Sequence, residues 1–223
     1  MTTKELLHYY IKKKFKNRIM ITSSFGAESI VILHLCSRIE PNIPILFLNT
    51  GKLFTITLTY LNKVKKLLKL TNIKIYEPSK QDLQIHDPKG LLHKTNVSLC
   101  CNIRKVEPLK IALKEGDYKA WINGRKRFHG KDREKLKKVE YIDGICKINP
   151  LADWTFEKLT NYCDYYKLPK HPLVAKGYMS IGCEPCTSKT KDSIRDGRWS
   201  QSLKTECGIH ESKKENEKFY PTS

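Results

Sequence analysis

This sequence of 223 residues lacks a long apolar run and has too few acidic residues to balance its basic ones. No apolar run approaches the length of about 20 residues that a membrane-spanning helix needs. The first residues, MTTKELLHYYIKKKF, alternate charged and apolar side chains, without the apolar core or the small-residue cleavage site of a secretory signal. We therefore expect a cytoplasmic protein that makes no membrane contact.

The shortage of acidic residues leaves a formal net charge of +19, because 42 Lys and Arg residues face only 23 Asp and Glu residues. Such an excess can indicate a nucleic-acid partner. Here most of it is lysine in helix-like segments such as KVKKLLKL and KDREKLKK, with few aromatic residues between them to stack on bases. We expect solvated helix faces and no nucleic-acid interface, although the same field would attract a small anionic nucleotide.

The sequence also lacks internal repeats, low-complexity tracts and Gly/Ser-rich linkers, which favours a single core. Apolar strands alternate with helices, and this predicts an α/β fold with a mostly parallel twisted sheet covered by helices on both faces. We assign residues 1–194 to this domain and residues 195–223 to a mobile C-terminal tail. The expected strands are 18–22, 45–48, 74–77 and 120–123, with a hairpin at 140–149. The expected helices are 4–15, 29–35, 57–70, 105–113 and 155–166.

Three of the predicted strands end in loops rich in small or basic residues. These loops are SSFGAES (residues 23–29), NTGK (residues 49–52) and GRKRFHGKDREK (residues 124–135). Ligands of parallel sheets bind at the carboxyl ends of the strands, so the loops are expected to meet at one pocket. A Gly-containing turn that leads into a helix presents backbone N–H groups to an anion. Taken singly, each loop is equally consistent with an ordinary turn or a solvated basic segment.

Cysteine is abundant, with 8 residues, and in a cytoplasmic protein this indicates metal ligation or thiol chemistry more than disulfides. Cys100 and Cys101 form one pair and Cys183 and Cys186 another, so four thiolates are available to zinc or to an iron–sulfur cluster. Adjacent side chains diverge, which favours a four-iron, four-sulfur (4Fe-4S) cluster because each thiolate can bind a different iron. We assign no function to the thiols of Cys36, Cys146 and Cys163.

Cys207 differs from the other cysteines in its setting. It lies in the short segment ECGIH, three residues before His210, and the basic loops are available to lower the pKa of its thiol. A nucleophilic cysteine needs such a setting, whereas the simpler interpretation is a stray thiol. Arg195 and Arg198 precede it in IRDGRW at a spacing that suits a single anion.

In order along most of the chain, SSFGAES, NTGKLF, CCNIRKVEPL, INGRKR, IGCEPC, GRW and ECGIH resemble the assimilatory sulfonucleotide reductases. These enzymes reduce adenylylsulfate (APS) or phosphoadenylylsulfate (PAPS), and the pairing of CCNIRKVEPL with ECGIH is highly specific to them. The resemblance implies an adenine-nucleotide alpha-hydrolase-like fold and reduction of APS to sulfite and AMP in sulfate assimilation and cysteine biosynthesis. It also implies a separate thioredoxin or glutaredoxin-like dithiol donor.

The same resemblance implies roles for individual residues. Cys207 corresponds to the cysteine that attacks the sulfate sulfur and carries an S-sulfocysteine intermediate, and Lys105 to a lysine between cluster and substrate. The 4Fe-4S cluster would be bound by Cys100, Cys101, Cys183 and Cys186. Contacts to the sulfate or phosphate are implied for Lys126, Arg127, Arg195, Arg198 and His210. The nucleotide pocket is implied to contain Ser23, Ser24, Gly26, Leu48, Thr50 and Gly51.

The chain departs from the pattern of this family at Ser29, Asn49, Lys126, Phe128 and His129, where members usually have Asp, Asp, Arg, an acidic residue and Gln. Lysine keeps the charge of arginine but loses its bidentate fork, so substrate binding is the feature most affected. Three alternatives stay open: a PAPS reductase, an ATP-using enzyme of the same fold that adenylates or thiolates a substrate such as RNA, and a metal-stapled nucleic-acid-binding module. A homo-oligomer is also possible.

Overall fold

The computed structural model describes residues 1–130, 133–200 and 204–210. Within them, six strands form one sheet: β1 (Ile19–Thr22), β2 (Ile45–Leu48), β3 (Ile73–Tyr76), β4 (Ala120–Ile122), β5 (Val139–Ile142) and β6 (Ile145–Ile148). The strand order is β3-β2-β1-β4-β6-β5. Neighbouring strands are parallel except β5 and β6, which form an antiparallel hairpin at one edge. The mostly parallel sheet predicted from the sequence is confirmed.

Helices connect the strands: α1 (Thr3–His8), α2 (Ser29–Ser37), α3 (Thr55–Leu67), α4 (Lys80–His86), α5 (Leu92–Thr95), α6 (Val97–Cys101), α7 (Glu107–Glu115) and α8 (Phe156–Tyr165). π-Helical turns extend α1 over Tyr9–Lys14 and join α6 to α7 over Asn102–Val106. Sequence periodicity does not predict α4 and α5, because neither helix buries a side chain. No helix among the described residues is long and apolar enough to cross a membrane.

Helices pack on both faces of the sheet, because successive residues of a strand point to opposite sides. Ile21 and Phe47 face the larger core, which also contains side chains of α1, α2, α3 and α8. Met20, Leu46 and Trp121 face a smaller core formed with α7. The central strands are therefore buried on both sides, which explains why IMI, ILF and AWI are continuous apolar runs in the sequence.

The carboxyl ends of β2, β1 and β4 lie side by side, so the three loops predicted to meet follow at one edge of the sheet. In the first loop, Phe25 has a positive φ of 49°. This conformation is uncommon for a residue with a side chain, and burial of the Phe25 ring against Phe47, with ring centroids 5.5 Å apart, holds it in place. The core thus fixes the path of the loop that borders the site.

The sequence predicts a tail from residue 195, but residues 195–200 pack on the segment before them. Thr187 and Arg198 form an isolated antiparallel bridge. The Asp196 carboxylate accepts hydrogen bonds from the backbone N–H groups of Lys191, Asp192 and Ser193. The described contacts therefore run across the predicted boundary at residue 194, and residues 201–203 and 211–223 of the predicted tail lie outside the described residues.

Candidate active site

A cavity of about 230 Å³ lies at the carboxyl ends of β1, β2 and β4. Its walls come from the three strand-end loops, from residues 179–182 and from the C-terminal segment. We call it the nucleotide cavity. The predicted site residues that line it are Ser23, Ser24, Gly26, Leu48, Thr50, Lys105, Lys126, Arg195, Arg198, Cys207 and His210. Arg127 and Gly51, although described, do not line it.

Arg127 points away from the nucleotide cavity, although the resemblance implies an anion contact for it. Its guanidinium pairs with Asp153 and donates a hydrogen bond of 2.8 Å to the Leu136 carbonyl, and 43% of the side chain is exposed. Lys126 just before it is extended, with φ −141° and ψ 148°. Arg127 begins a short 3₁₀ helix, so the backbone changes direction between the two residues, and Lys126 lines the cavity whereas Arg127 does not.

The loop after β1 offers donors to an anion. Ser24 lines the nucleotide cavity together with Ala27, Glu28 and Ser29 at the start of α2, so a side-chain hydroxyl and the positive end of the helix dipole lie near a bound ligand. A Cβ atom at Gly26 would come within 3.0 Å of the Ile181 carbonyl oxygen. Glycine at this position lets the loop pack closely against the segment on the opposite wall.

The wall of the nucleotide cavity is strongly basic. Among the described residues, its charged side chains are Lys105, Arg125, Lys126, Arg133, Arg195 and Arg198 against Glu28 and Glu206. Such a field favours a ligand with more than one negative charge. Glu28 pairs with Lys126 and Glu206 with Arg133, whereas no carboxylate in the described part of the chain pairs with Lys105 or Arg198.

Arg198 is held by neutral groups. Its guanidinium stacks on the Trp199 ring at 4.4 Å and donates to Thr187 Oγ1 at 2.7 Å. A Cβ atom at Gly182 would collide with this guanidinium, so glycine is needed there for Arg198 to reach the cavity. The positive charge of Arg198 is therefore available to a ligand anion.

Glu28 and His129 are site residues that the sequence analysis does not identify as functional. The Glu28 carboxylate contacts Lys126 Nζ, and His129 Nε2 lies 3.0 Å from Glu28 Oε2. Burial alone would raise the pKa of Glu28, but the two neighbours lower it to about 2. Burial also lowers the pKa of His129 to about 4, so its imidazole is neutral at pH 7. The only sequence signal for this cluster is that His129 departs from the family pattern.

The four paired cysteines meet at a second, smaller cavity, which we call the cysteine cavity. Its lining includes all four of their side chains, with the pair of α6 opposite the pair in IGCEPC: Cys100, Cys101, Cys183 and Cys186. Leu53 forms a β-bridge with Cys183, and the Lys52 carbonyl accepts a 2.7 Å hydrogen bond from Glu184 N–H. The loop after β2 thereby places IGCEPC against α6.

The chemistry of this donor set fits an iron–sulfur cluster. Arg104 and Lys105 line the cysteine cavity with the thiols and can compensate the negative charge that four thiolates bring. The cysteines are free thiols. Over residues 1–130, 133–200 and 204–210, no three His, Cys, Asp or Glu side chains are grouped to hold one metal ion. The four thiols instead surround a shared space.

A buried ion pair fixes the helix that carries Cys100 and Cys101. Arg104 donates hydrogen bonds to Asp87 at 2.6 Å and to the Thr50 carbonyl at 2.7 Å. Gly51 follows Thr50 with a φ of +67°, a backbone conformation that favours glycine, and packs beside Arg104 Nη1. Gly51 therefore shapes the turn between the two cavities and does not contact the nucleotide cavity.

Cys207 lines the nucleotide cavity beside Cys101 and is only 8% exposed. A hydrogen bond from the Cys101 thiol, and then the charge of Lys105, lower the pKa of Cys207 to about 6 although burial opposes them. Lys105 lines both cavities. Burial alone would lower the pKa of Lys105, but its electrostatic interactions with the Cys183, Cys207 and Cys101 side chains raise it. The site thus combines a thiolate with a buried ammonium group, as nucleophilic chemistry at an anion requires.

His210 reaches the nucleotide cavity as a neutral group. Burial lowers the pKa of His210 well below its ordinary value. Its Nδ1 has no hydrogen-bond partner among the described atoms, and its ring centroid lies 6.2 Å from that of Trp121. His210 is therefore placed to offer a hydrogen bond to a ligand but not a positive charge.

Known proteins provide independent comparisons. Residues 18–189 match the family model described as phosphoadenosine phosphosulfate reductase domain. The adenosine 5'-phosphosulfate reductase of Mesorhizobium japonicum is 42% identical over 208 residues, which are 92% of this chain and 81% of that protein. The protein of the same name from Bacillus cereus is 36% identical over 205 residues, 89% of this chain and 86% of its own length.

Solved structures give the same fold. The phosphoadenylyl-sulfate reductase of Candida auris, in a phosphate complex, has a TM-score of 0.71 and 28% identity, covering 85% of this chain and 91% of that one. The FMN adenylyltransferase of Candida glabrata has a TM-score of 0.60 and 16% identity, covering 92% and 71%. The second similarity shows the fold alone, and together they confirm the predicted adenine-nucleotide alpha-hydrolase-like α/β class.

Gly182→Ala is expected to weaken binding of an adenine nucleotide that carries a sulfate, because the new methyl group displaces the Arg198 guanidinium. We expect Kd for APS to rise about tenfold, or about 1.4 kcal/mol, in isothermal titration calorimetry. Gly144→Ala is the control: a Cβ atom there meets nothing within 4 Å, and the backbone strain that its φ of +77° brings falls in the β5–β6 turn, which does not line the nucleotide cavity. Its Kd should match that of the unaltered protein, and equal Kd values for both variants would contradict the role of Gly182.

Proposed function

The chain belongs to the family of phosphoadenosine phosphosulfate reductase domains and reduces a sulfonucleotide in sulfate assimilation, and we propose that its substrate is APS. It converts APS to sulfite and AMP with electrons from thioredoxin or a similar dithiol protein. The observation that carries this proposal is the position of the Cys207 thiol at the wall of a strongly basic nucleotide cavity. Because free thiols carry the chemistry, we place the reaction in the cytoplasm, where it serves cysteine biosynthesis.

The first half of the proposed reaction is nucleophilic. The Cys207 thiolate attacks the sulfate sulfur of APS, a sulfur–sulfur bond forms, and the bond from sulfur to the bridging oxygen breaks. AMP leaves with the bonding electrons, and Cys207 carries an S-sulfonate. Lys105 and Arg198 stabilise the charge on the sulfate and phosphate oxygens, because no described carboxylate competes for either of them.

The second half is thiol exchange. A thiolate of the dithiol donor attacks the sulfur of Cys207, forms a mixed disulfide and releases sulfite. The second thiol of the donor then attacks the donor's other sulfur, which is bonded to Cys207 in the mixed disulfide. This frees the Cys207 thiolate and leaves the donor with an internal disulfide. The two electrons that reduce the sulfate group thus come from the donor's two thiols.

We also propose that Cys100, Cys101, Cys183 and Cys186 hold a 4Fe-4S cluster. The support is that these four thiols line one cavity, with cationic Arg104 and Lys105 beside them. When bound, the cluster would supply a fixed charge that influences the substrate electrostatically. Lys105 would transmit that influence, since its ammonium group lies between the cysteine cavity and the nucleotide cavity.

A single turnover without reductant tests Cys207. Reduced protein mixed with APS should release about one AMP per chain and then stop, because the adduct cannot react further without a second thiol. Intact-mass and peptide analysis should place one sulfonate on Cys207, and added thioredoxin should release it as sulfite. Neither step needs ATP, which separates this enzyme from ATP-using relatives of the fold.

Cys207→Ser is the matched variant for this experiment. It should bind APS and keep its metal content but form no adduct and release no AMP. Continued sulfite production by the serine variant, or a sulfonate found on Cys36, Cys146 or Cys163, would show that Cys207 is not the nucleophile.

Anaerobically purified protein should be brown and contain about four irons and four acid-labile sulfides per chain. Cys101→Ser and Cys183→Ser should each lose the colour and the iron, because a serine oxygen replaces a soft thiolate poorly. Iron and sulfide analysis with visible absorption measures this without any assay of activity. One zinc per chain without labile sulfide would contradict the cluster.

APS should be preferred to PAPS, with kcat/KM at least about tenfold higher, corresponding to about 1.4 kcal/mol of transition-state stabilisation. The basis is that relatives at 42% and 36% identity carry the name adenosine 5'-phosphosulfate reductase. Sulfite release with each nucleotide in turn measures the preference. A higher value for PAPS would mean that the basic wall recognises the additional phosphate.

A further inference from the structure

A continuous series of charged and hydrogen-bonded side chains connects the loop after β1 to the segment that carries Cys207. Glu28 Oε2 lies 3.0 Å from His129 Nε2, and His129 Nδ1 lies 2.9 Å from Arg133 Nη1. Arg133 donates hydrogen bonds to both carboxylate oxygens of Glu206, to one from Nε and to the other from Nη2 at 3.0 Å. Glu206 immediately precedes Cys207 in the chain.

The direction of each hydrogen bond follows from the chemistry of arginine. A guanidinium group only donates hydrogen bonds, so His129 Nδ1 accepts from Arg133. The proton of the neutral imidazole is therefore on Nε2, from which it is donated to Glu28. His129 is only 8% exposed, and this environment disfavours its charged form. The imidazole thus acts as a neutral spacer that fixes the orientation of Arg133.

A second arginine holds the same segment from another side. Arg195 Nη2 donates a 2.9 Å hydrogen bond to the Thr205 carbonyl and lies 3.5 Å from Glu206 Oε2. The Glu206 side chain is only 11% exposed between the two guanidinium groups. Charge-assisted hydrogen bonds in such a buried place are among the strongest that side chains make. A substrate anion would have to displace Glu206 to use Arg133 or Arg195 fully.

We propose that Glu206 is a positioning residue, which docks the Cys207 thiol at the nucleotide cavity through Arg133 and Arg195, and that His129 maintains this docking by orienting Arg133. Arg195 is then a docking residue, whereas Lys105 and Arg198 serve the substrate. The inference extends the proposed function, because Cys207 is the proposed nucleophile. The docking itself is a property of the ligand-free protein and is testable without substrate.

The first test measures access to Cys207 in the ligand-free protein under anaerobic conditions. Glu206→Gln and His129→Phe are treated with iodoacetamide, and peptide mass analysis follows each cysteine. Rates are compared at their high-pH plateau, where Cys207 is fully thiolate, so that altered charge near the thiol does not contribute. We expect the plateau rate at Cys207 to rise at least about tenfold in both variants.

Two controls separate undocking from general damage. Cys36 is fully buried in the core and should stay unreactive in every variant. Glu134→Gln removes an exposed carboxylate from the same basic loop and changes the net charge as Glu206→Gln does. It should leave the plateau rate at Cys207 unchanged. If labelling of Cys36 shows that one of the two variants does not fold, the alkylation rate of Cys207 in the other variant still tests the docking proposal.

The second test uses single turnovers with APS. The rate of adduct formation at saturating APS should fall at least about tenfold in Glu206→Gln and His129→Phe, while Kd for APS changes less than about threefold. His129→Gln should restore both the rate and the protection of Cys207. Its amide offers an oxygen that accepts from Arg133 and an NH₂ group that donates to Glu28.

The possible results are distinguishable. Unchanged plateau alkylation of Cys207 in Glu206→Gln and His129→Phe would overturn the docking proposal, whatever the activity of the protein. Weaker APS binding with an unchanged adduct rate would overturn it too, because the residues would then act on the substrate. If the protein reduced no APS, the alkylation result would still stand, and only the proposed function would fail.

Discussion

The structure depends on how it accommodates several cations around one cavity. Like charges held close together out of water repel strongly, and each is costly unless it is paired. Two carboxylates of the wall balance part of this charge: Glu28 pairs with Lys126 beside the neutral His129, and Glu206 lies between Arg133 and Arg195. On the other side, interactions with the nearby cysteine side chains raise the pKa of Lys105 and favour its charged form. The charge left over is the part of the wall that suits a sulfonucleotide.

Part of this organisation could be predicted from the sequence because its causes are local. Apolar runs predict the central strands, and the three loops at their ends predict where the site lies. The spacing of the cysteines predicts the two pairs that meet at the cysteine cavity. The four-residue helix α5 and the longer α4 bury nothing, so no periodic signal exists for them. Sequence motifs therefore predict those segments whose structure is determined by a local pattern of residues.

The ionic network could not be predicted, because its partners are far apart in the chain. His129 contacts Glu28 across 101 positions and Arg133 contacts Glu206 across 73. Nothing in SSFGAES shows that its carboxylate binds a lysine. Arg127 shows the limit of a motif: the resemblance implies an anion contact for it, whereas in this structure its side chain lies at the surface and pairs with Asp153. Likewise Asn49 departs from the family pattern but donates to Glu77 at 2.6 Å, where a second carboxylate would repel.

The burial of Cys207 has a consequence for the complete cycle. In the proposed cycle a protein donates the electrons, and it cannot enter a cavity of about 230 Å³, so the proposal requires the thiol to leave its docked position before the second half-reaction. The two half-reactions then favour opposite strengths of the Glu206 contacts. Attack on the nucleotide is fastest when these contacts are strong, whereas reaction with the reductant is fastest when they are weak. The steady-state turnover rate would be greatest when the Glu206 contacts have an intermediate strength. An ion pair whose carboxylate is nearly buried but lies at the cavity edge is suited to that compromise, since solvent can reach it as the segment departs.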